Sequence, residues 1–384
     1  MPTAAAVAAP SVLDTALAHM RAERWEDALE DFTKAHDLVD LPLRGPLLGM
    51  ASVCLHRLGR YAEAEAQALQ GLGEQKALIA VGTPFSEAEL LARWAGPTTP
   101  VVSIICTTFN HERYIETAIR GFLSQDTSHP FEIIIHDDAS TDGTQSVIRQ
   151  WQAQYPSIIR TILQTENQLS RGGRPFDLLL SAARGAYIAT CEGDDFWVDT
   201  TKLQRQVSFL EARSDYACSA HNHYLYTEAK LTVKTWLGSR RDLTLTQREL
   251  MGMRRLLWLP TLVFRRVITE MPVEARSSRI GDQFLTSILG TYGKCMYFEG
   301  LIGAVRRENP YSAWTPVSEI DKERERVRSW VLMVRMHSRL GNDDAIVDLH
   351  AKVAASPLPE PEKSRLVQEA LRFVPTTASG GGLP

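Results

Sequence analysis

Apolar, β-branched runs alternate with helix-like stretches in the middle of this chain, and this alternation constrains the fold more than any other feature. Residues 101–106, 131–136, 158–163 and 186–191 each read as a buried strand, and helical patterns separate most of them. Continuously apolar strands joined through helices are typical of a mostly parallel sheet with both faces covered. Ligands bind outside the carboxyl ends of the strands in such sheets, so we expect the functional site there.

The segment before this alternation has a different pattern, with alanine and leucine at helical spacing and few β-branched residues. Within it, the run 24–32 recurs in outline at 60–68, with an aromatic residue and then alanine at matching positions. This spacing resembles tetratricopeptide repeats (TPR), which pair two helices in about 34 residues. An ordinary helical bundle remains the alternative. Gly96 and the proline after it break the pattern, so we expect an α-helical TPR-like region over residues 1–96.

Composition excludes several classes of protein. Hydrophobic residues make up 44% and charged residues 23% of the chain, as in soluble globular proteins. The net charge of -4 provides no basic footprint for nucleic acid. The five cysteines lack CxxC spacing, which argues against zinc and disulfides and favours a reducing cytoplasm. No apolar run reaches the roughly 20 residues that span a bilayer, and peripheral membrane association stays open.

Four polar clusters follow one another along the chain, at residues 107–110, 137–144, 194–195 and 281–283. The adjacent carboxylates Asp194 and Asp195 follow an apolar strand and suit a hard divalent cation that keeps positions open for diphosphate oxygens. In this order, the clusters resemble a family 2 nucleotide-sugar glycosyltransferase of the GT-A fold. The resemblance implies an α/β GT-A domain with a mostly parallel sheet at 97–315, C-terminal helices at 316–375 and a disordered tail at 376–384.

On the donor side, the resemblance implies that Asp138 accepts a hydrogen bond from the nucleobase. Thr107, Phe109 and Asn110 correspond to the loop that flanks the base, where Phe109 either stacks on it or fills a core. Asp142 fits better as the cap of the following helix than as a ligand. The glycine-containing loop at 167–174 either closes over the donor or is a passive surface loop.

The resemblance also implies roles for the acidic residues. Asp195 ligates Mn²⁺ or Mg²⁺, and Asp194 contacts the ribose or the waters of the metal. Glu192 is a further ligand or only a surface charge at the strand end. Asp282 corresponds to the catalytic base, which takes the proton of the acceptor hydroxyl as its oxygen attacks the anomeric carbon. A helix N-cap is the alternative for Asp282.

Relatives with this pattern carry an arginine and, two residues later, a histidine that helps to hold the metal or the diphosphate. Here Arg307 and Asn309 occupy these places, or Arg306 and Glu308 if the alignment shifts by one residue. Neither register supplies a histidine. We therefore predict Arg307 as a phosphate contact and Asn309 as a weak metal ligand, with Glu308 as the alternative ligand. Tight metal binding before the nucleotide arrives is not expected.

Several other side chains have both a functional and a structural interpretation. Trp197 faces the sugar or is buried under the next helix, and Lys202 is a minor candidate for a phosphate contact. His221 and His223 share a face of a strand but have no evident third ligand, so core or acceptor-lining roles fit them better than a metal.

The resemblance leads to a metal-dependent inverting glycosyltransferase. The expected donor is a nucleoside diphosphate sugar, with UDP as the expected nucleotide, and the acceptor is a hydroxyl of a glycan, a lipid-linked intermediate or a protein. The alternative is a weak or inactive nucleotide-sugar-binding module in a TPR scaffold. The N-terminal repeats suggest a protein partner. A dinucleotide-dependent oxidoreductase is disfavoured, since no GxGxxG follows the first strand.

Overall fold

The computed structural model describes residues 4–38, 41–58, 60, 63, 66–67, 70, 79–95, 99–227, 230–234, 242–308 and 317–372. The helices are α1 (Ala4–Arg21), α2 (Trp25–Leu38), α3 (Leu41–Arg57), α4 (Glu87–Arg93), α5 (Ile115–Leu123), α6 (Thr144–Gln154), α7 (Pro175–Ala182), α8 (Lys202–Ala212), α9 (Gln247–Met251), α10 (Gly281–Leu289), α11 (Glu319–Leu340), α12 (Asp343–Ala355) and α13 (Glu360–Arg372). The strands are β1 (Val102–Thr108), β2 (Phe131–Asp137), β3 (Ile159–Leu163), β4 (Tyr187–Thr190), β5 (Phe196–Trp197), β6 (Tyr216–Thr227), β7 (Lys230–Lys234), β8 (Leu243–Leu245), β9 (Val263–Arg265) and β10 (Lys294–Arg307).

The chain divides into two compact units, residues 1–80 and 81–384. In the first unit, α1, α2 and α3 enclose a small apolar core that includes Ala16, Phe32 and Cys54. The second copy of the repeat pattern, at 60–68, lies mostly outside the described residues, so the TPR-like character of this unit stays a prediction. The division lies before the expected boundary at residue 96, because Leu90 and Trp94 belong to a core of the second unit.

The second unit is built on one mixed sheet, with the strand order β3-β2-β1-β4-β9-β6-β10-β5 among the described residues. The neighbours β3, β2, β1 and β4 are parallel, as the alternation of strands and helices predicts. β9 runs antiparallel to both β4 and β6, and β5 runs antiparallel to β10, whereas β6 and β10 are parallel to each other. The sheet is therefore mixed, with the parallel strands that the sequence predicts interrupted by short antiparallel ones. A three-residue strand such as β9 is too short for its sequence pattern to indicate its direction.

Two apolar cores cover the two faces of this sheet. Successive side chains of a strand point to opposite faces, and accordingly Ile105 of β1 packs in one core while Ile104 and Cys106 pack in the other. The C-terminal helices contribute to the first of these cores through buried residues such as Leu332 and Leu349. They are therefore part of the second compact unit, which buries the sheet from residue 102 onward.

The parallel strands bring three chain segments to one edge of the sheet. Thr108 at the end of β1 pairs with Asp137 at the end of β2, and Ile105 pairs with Thr190 at the end of β4. The polar clusters that follow β1, β2 and β4 therefore emerge side by side. Among the described residues, no helix combines the length and the apolar character needed to cross a bilayer.

Candidate functional site

The loops that follow β1 and β2 are tied together by Asn110. Its backbone φ is 56°, in the left-handed region that asparagine tolerates better than most residues. The side-chain oxygen of Asn110 accepts a hydrogen bond from the N–H of Thr141 (2.8 Å), and its own N–H donates to Oγ of Ser140 (2.8 Å). Ser140 in turn donates its hydroxyl and its N–H to Asp137. Asn110 and Asp137 thus fix the shape of this edge of the site.

Phe109 precedes Asn110 in the same loop and projects into solvent. Its side chain is 42% exposed, so it does not fill a core, and its ring is free to stack on a planar ligand. The carbonyl of Thr107 accepts the N–H of Gly193 at 2.9 Å and so holds the acidic segment after β4 against the end of β1. Asp142 accepts hydrogen bonds from the N–H and hydroxyl of Thr144, the first residue of α6, while Gly143 occupies the N-cap position. Its side chain thus holds the start of the helix, although it is not the cap residue itself.

Asp138 is buried, and its carboxylate holds the loop at 167–174. One of its oxygens accepts the N–H of Gln168 at 2.7 Å, and the other accepts the N–H of Leu169 at 3.0 Å. Gly172 in this loop has a φ of 80°, a conformation that most other residues avoid. A nucleobase that approaches Asp138 must use the remaining lone pairs of this carboxylate or displace the loop.

The acidic pair at the end of β4 is held by Arg307 at the end of β10. Asp195 is 3% exposed and accepts the N–H of Arg307 at 2.7 Å, while the carbonyl of Asp194 accepts from the guanidinium at 2.6 Å. Burial raises the pKa of Asp195 well above its usual value, and the nearby Asp194 and Glu192 carboxylates raise it further. The site therefore concentrates negative charge that protein groups only partly compensate.

The two arginines of this segment have different environments. The Arg307 guanidinium lies 4.2 Å from the Phe196 ring centroid and 5.1 Å from that of Tyr114, and burial lowers its pKa. Arg306 stacks on Trp258 at 4.3 Å, and its charge lowers the pKa values of the surrounding acidic groups. The predicted ligand Asn309 lies outside the described residues, and the N–H of Glu308 donates to the backbone of β6.

Asp282 is the second residue of α10, and its carboxylate accepts the N–H of Gln283 at 2.8 Å. Burial raises the pKa of Asp282 to about 6, although the Gln283 N–H and Arg306 act in the opposite direction. Glu192 is exposed to the cleft. The protein around Glu192 partly removes its carboxylate from water and so raises its pKa, and the negative charges of Asp194 and Asp282 raise it further. Because these charges act on one another, Glu192 connects the acidic pair to Asp282 in one site.

His111 is a residue of this site that the sequence reasoning missed. Its Nε2 lies 3.8 Å from a carboxylate oxygen of Asp194, and its side chain is only 16% exposed. The N–H of His111 donates to the hydroxyl of Thr144, which fixes the backbone from which the ring extends. The available signal was its position directly after Asn110, in the loop at the carboxyl end of β1.

Two side chains that the sequence analysis left open are structural. Lys202 is fully buried, with its Nζ 4.1 Å from the Trp197 ring centroid, so the interpretation as a phosphate contact is wrong. Trp197 is also fully buried and donates its indole N–H to the carbonyl of Pro260, which excludes a position against the sugar. His221 and His223 are buried in the second half of the sheet, as a core role requires.

The carboxylates fit a divalent cation only in combination with ligands from elsewhere. In the part of the chain that the structure describes, no three His, Cys, Asp or Glu side chains are arranged to hold a metal ion on their own. Asp194 and Asp195 nevertheless offer the oxygen ligands that Mg²⁺ and Mn²⁺ prefer, in a place where negative charge is poorly compensated. Such a site suits an ion that arrives with phosphate oxygens.

Part of this chain is similar to known proteins. Residues 103–268 match the model of Glycosyl transferase family 2. An uncharacterized protein of Mycobacterium tuberculosis is 38% identical over 167 residues, which are 43% of this chain and 47% of the relative. The Escherichia coli protein WfaP, named as a UDP-Glc:alpha-D-GlcNAc-diphosphoundecaprenol beta-1,3-glucosyltransferase, is 33% identical over 132 residues, or 34% of this chain and 49% of that protein. The matched part thus spans about half the length of these relatives.

A more distant likeness extends over more of the chain. The crystal structure of Staphylococcus aureus TarS 1–349 in complex with UDP-GlcNAc is 16% identical, with a TM-score of 0.47 over 70% of this chain and 71% of that one. The family match covers β1, β2 and β4, together with the loops that carry Asp138, Asp194 and Asp195. Residues 103–268 of this chain are thus similar to a glycosyltransferase family 2 domain.

Proposed function

We propose that this chain transfers a sugar from a nucleoside diphosphate to a hydroxyl acceptor, with inversion at the anomeric carbon and with Mn²⁺ or Mg²⁺ bound. The observation that carries the proposal is that the charges of Asp194, after β4, and Asp282, at the start of α10, both act on the carboxylate of Glu192. Their electrostatic link through Glu192 and Arg306 supports one continuous site for donor and acceptor. The family 2 domain supports the nucleotide-sugar donor.

The donor nucleotide is proposed to be UDP. The E. coli relative is named for a UDP-Glc donor, which supports the same choice here. The exposed Phe109 ring offers a stacking surface for the base beside Thr107, and Asn110 and Asp138 set the shape of the loops around it. Arg306 and Arg307 supply the positive charge that a diphosphate needs.

Asp194 and Asp195 are the residues proposed to hold the cation. When bound, the ion stabilises the negative charge that grows on the departing diphosphate. Asp195 is held by the N–H of Arg307, so its carboxylate is already fixed in place before the donor binds. The protein contribution to this step is therefore orientation, with the remaining ligands supplied by the donor.

Asp282 is the proposed base. A carboxylate accepts the proton of the acceptor hydroxyl best when its pKa lies near the working pH, and burial raises the pKa of Asp282 to about 6. The N–H of Gln283 and the neighbouring Arg306 act against this rise in pKa and favour the ionised carboxylate. Trp258, on which Arg306 stacks, offers an aromatic surface on the acceptor side. The acceptor class, whether glycan, lipid-linked or protein, is left to experiment, and the N-terminal helices are a proposed surface for a protein partner.

The test measures release of UDP from UDP-glucose, UDP-galactose and the two UDP-N-acetylhexosamines with Mn²⁺, with and without EDTA. We expect slow hydrolysis with at least one donor in the absence of an acceptor, and EDTA should abolish it. Asp195→Asn should abolish the metal-dependent part, whereas Asp242→Asn, at an exposed position outside the site, should have no effect. Hydrolysis that persists unchanged in Asp195→Asn would contradict the proposed site.

A further inference from the structure

Glu192 carries a carboxyl group at the site that the protein itself does not engage. Its side chain is exposed to the cleft, and within the described residues it makes no hydrogen bond or ion pair. Asp195, by contrast, accepts the N–H of Arg307, and Asp282 accepts the N–H of Gln283. Both oxygens of Glu192 therefore remain available to accept hydrogen bonds from a ligand.

The backbone around Glu192 is fixed, although its side chain has no protein partner. The N–H groups of Cys191 and Gly193 donate to carbonyls of β1, at 3.2 and 2.9 Å, so the pairing with β1 continues past the end of β4. The carbonyl of Glu192 accepts the N–H of Asp195 at 3.1 Å, which closes the turn that presents the acidic pair. A carboxyl group on such a fixed backbone loses little conformational freedom when a ligand binds.

The alternation of side chains along β4 places Glu192 on the face of the sheet that α10 covers. Cys191 packs in one apolar core and Ile188 in the other. Because the strand pairing continues past Glu192, its side chain lies on the same face as that of Ile188. Helix α10 contributes to the core of Ile188, and Asp282 lies in its first turn. The Glu192 side chain therefore extends toward the half of the site that holds Asp282.

The proposed function places the transferred sugar between the acidic pair and Asp282. In an inverting transfer, the departing group and the attacking oxygen lie on opposite faces of the sugar ring. The pair Asp194–Asp195 marks the diphosphate end of this line, and Asp282 marks the end of the attacking hydroxyl. The charges of Asp194 and Asp282 both act on Glu192, so its carboxyl group lies beside the space between these two ends. A sugar in this space presents hydroxyl groups to Glu192.

A place among the metal ligands does not explain Glu192. In the described part of the chain, no three His, Cys, Asp or Glu side chains are arranged to hold a metal ion, so Glu192 does not join Asp194 and Asp195 around a cation. A hydroxyl group of a sugar, however, needs only one acceptor oxygen. A carboxyl group offers such an oxygen whether or not it is ionised, so the contact requires no particular protonation state.

We propose that Glu192 accepts hydrogen bonds from hydroxyl groups of the transferred sugar and that the donor sugar is uncharged. This inference rests on the proposed function, from which it takes the direction of transfer. A sugar with a carboxylate of its own would meet the negative charges of Asp194 and Asp282 in the same space, and like charges repel. Glu192 is thus a residue that determines the specificity for the donor.

The test compares UDP with UDP-sugars by isothermal titration calorimetry of the full chain with Mn²⁺, at a low temperature where hydrolysis is slow. The probes are UDP, UDP-glucose, UDP-galactose, the two UDP-N-acetylhexosamines and UDP-glucuronic acid. In the wild type, at least one neutral UDP-sugar should bind more tightly than UDP and than UDP-glucuronic acid, and the tightest serves as the reference donor. Glu192→Ala should bind the reference donor about tenfold more weakly, without a loss of UDP affinity. Glu116→Ala, at an exposed position of α5, is the matched control and should behave as wild type.

Two further comparisons separate a hydrogen bond from an effect of charge. Glu192→Gln keeps an oxygen that accepts hydrogen bonds but has no charge, so its affinity for the reference donor should stay within about threefold of wild type. Analogues of the reference donor that each lack one sugar hydroxyl complete a double-mutant cycle. At least one of them should bind the wild type about tenfold more weakly than the reference donor does, and Glu192→Ala should not distinguish the two.

The possible outcomes separate this inference from the proposed function. If no neutral UDP-sugar binds more tightly than UDP, or if no deoxy analogue shows this difference between wild type and Glu192→Ala, the role of Glu192 is refuted, while metal-dependent release of UDP still supports the proposed function. If UDP-glucuronic acid binds as tightly as the reference donor, the choice of an uncharged sugar is wrong. If UDP does not bind and no donor is hydrolysed, both proposals fail. The deoxy analogues test the wild type itself, and melting temperatures show whether the variants fold.

Discussion

Single residues of the site divide into those that shape it and those that remain free for a ligand. The side chains of Asn110, Asp137 and Asp142 accept hydrogen bonds from other groups of the loops. Phe109 and Glu192 are exposed at the same edge. The sequence placed these positions at or just after the ends of three predicted strands, yet hydrogen bonding within the loops, which has no periodic signature, decides which of them remain free.

Phe109→Ala tests whether the exposed ring stacks on the base. Stacking of an aromatic ring on a base contributes about 1–3 kcal/mol, so UDP should bind roughly 5- to 150-fold more weakly in this variant. The melting temperature should hardly change, because the ring is 42% exposed. Isothermal titration calorimetry measures the affinity, with Val347→Ala at an exposed position of α12 as the control. Unchanged UDP affinity would show that the ring does not contact the base.

The pH dependence of turnover tests Asp282 as the base. A carboxyl group with a pKa of about 6 is protonated below that pH and cannot accept a proton, so kcat/KM should fall as the pH drops through 6. Asp282→Asn should lower the rate by about 10²–10⁴-fold and leave UDP affinity unchanged. Profiles of kcat/KM from pH 5 to 8 measure this fall in activity. If the residual activity of Asp282→Asn falls in the same way at low pH, the titrating group is not Asp282.

The prediction of individual residues failed where burial decided the role. Lys202 read as a minor candidate for a phosphate contact, but its side chain is fully buried. Trp197 is fully buried too, which was one of the two alternatives for it. A fully buried lysine is exceptional, and the sequence gives no warning of it. His111 was missed because it lies next to Asn110 in a short loop, and only the approach of the β1 and β4 loops at Gly193 brings it to Asp194.

At the scale of secondary structure, the apolar runs placed β1, β2, β3 and β4 to within one or two residues at most ends. The nearly continuous burial of β1, β2 and β4 and the helices between the strands make this pattern strong, whereas β3 is buried only at its first residue. The second half of the sheet was harder to predict because β5 has only two residues and β9 has only three. Such strands gain their direction from the neighbours with which they pair, and that information is not local in the sequence.

The loop at 167–174 is the element whose behaviour depends on a single side chain. In the wild type, each carboxylate oxygen of Asp138 accepts one N–H group of the loop. The side chain in Asp138→Asn has a single oxygen, so one of these two hydrogen bonds is lost. We expect faster trypsin cleavage after Arg171 and little change in melting temperature. Mass spectrometry of timed digests measures the cleavage, and Asp242→Asn provides the control. If cleavage in this loop is equally fast in wild type and variant, Asp138 does not restrain it.

For the whole molecule, the buried Lys202 links stability to pH. Its Nζ has no hydrogen-bond partner within the described structure, and burial lowers its pKa to about 7, although Cys191 and Asp199 oppose this shift. The folded protein then binds fewer protons than the unfolded chain between pH 7 and about 10.5, the ordinary pKa of lysine. The contribution of this group to stability therefore rises with pH across that window and is least favourable below pH 7.

Lys202→Met should remove this dependence, because methionine fills the same apolar space beside Trp197 without a charge. Relative to the variant, the wild type should gain about 1.4 kcal/mol of unfolding free energy per pH unit above 7. Urea unfolding of the full chain at pH 7, 8 and 9, followed by near-ultraviolet circular dichroism, measures the difference. Lys294→Met, at a partly exposed lysine, should instead follow the wild type at every pH. Parallel stability curves for the wild type and Lys202→Met would mean that the lysine keeps its proton inside the folded core.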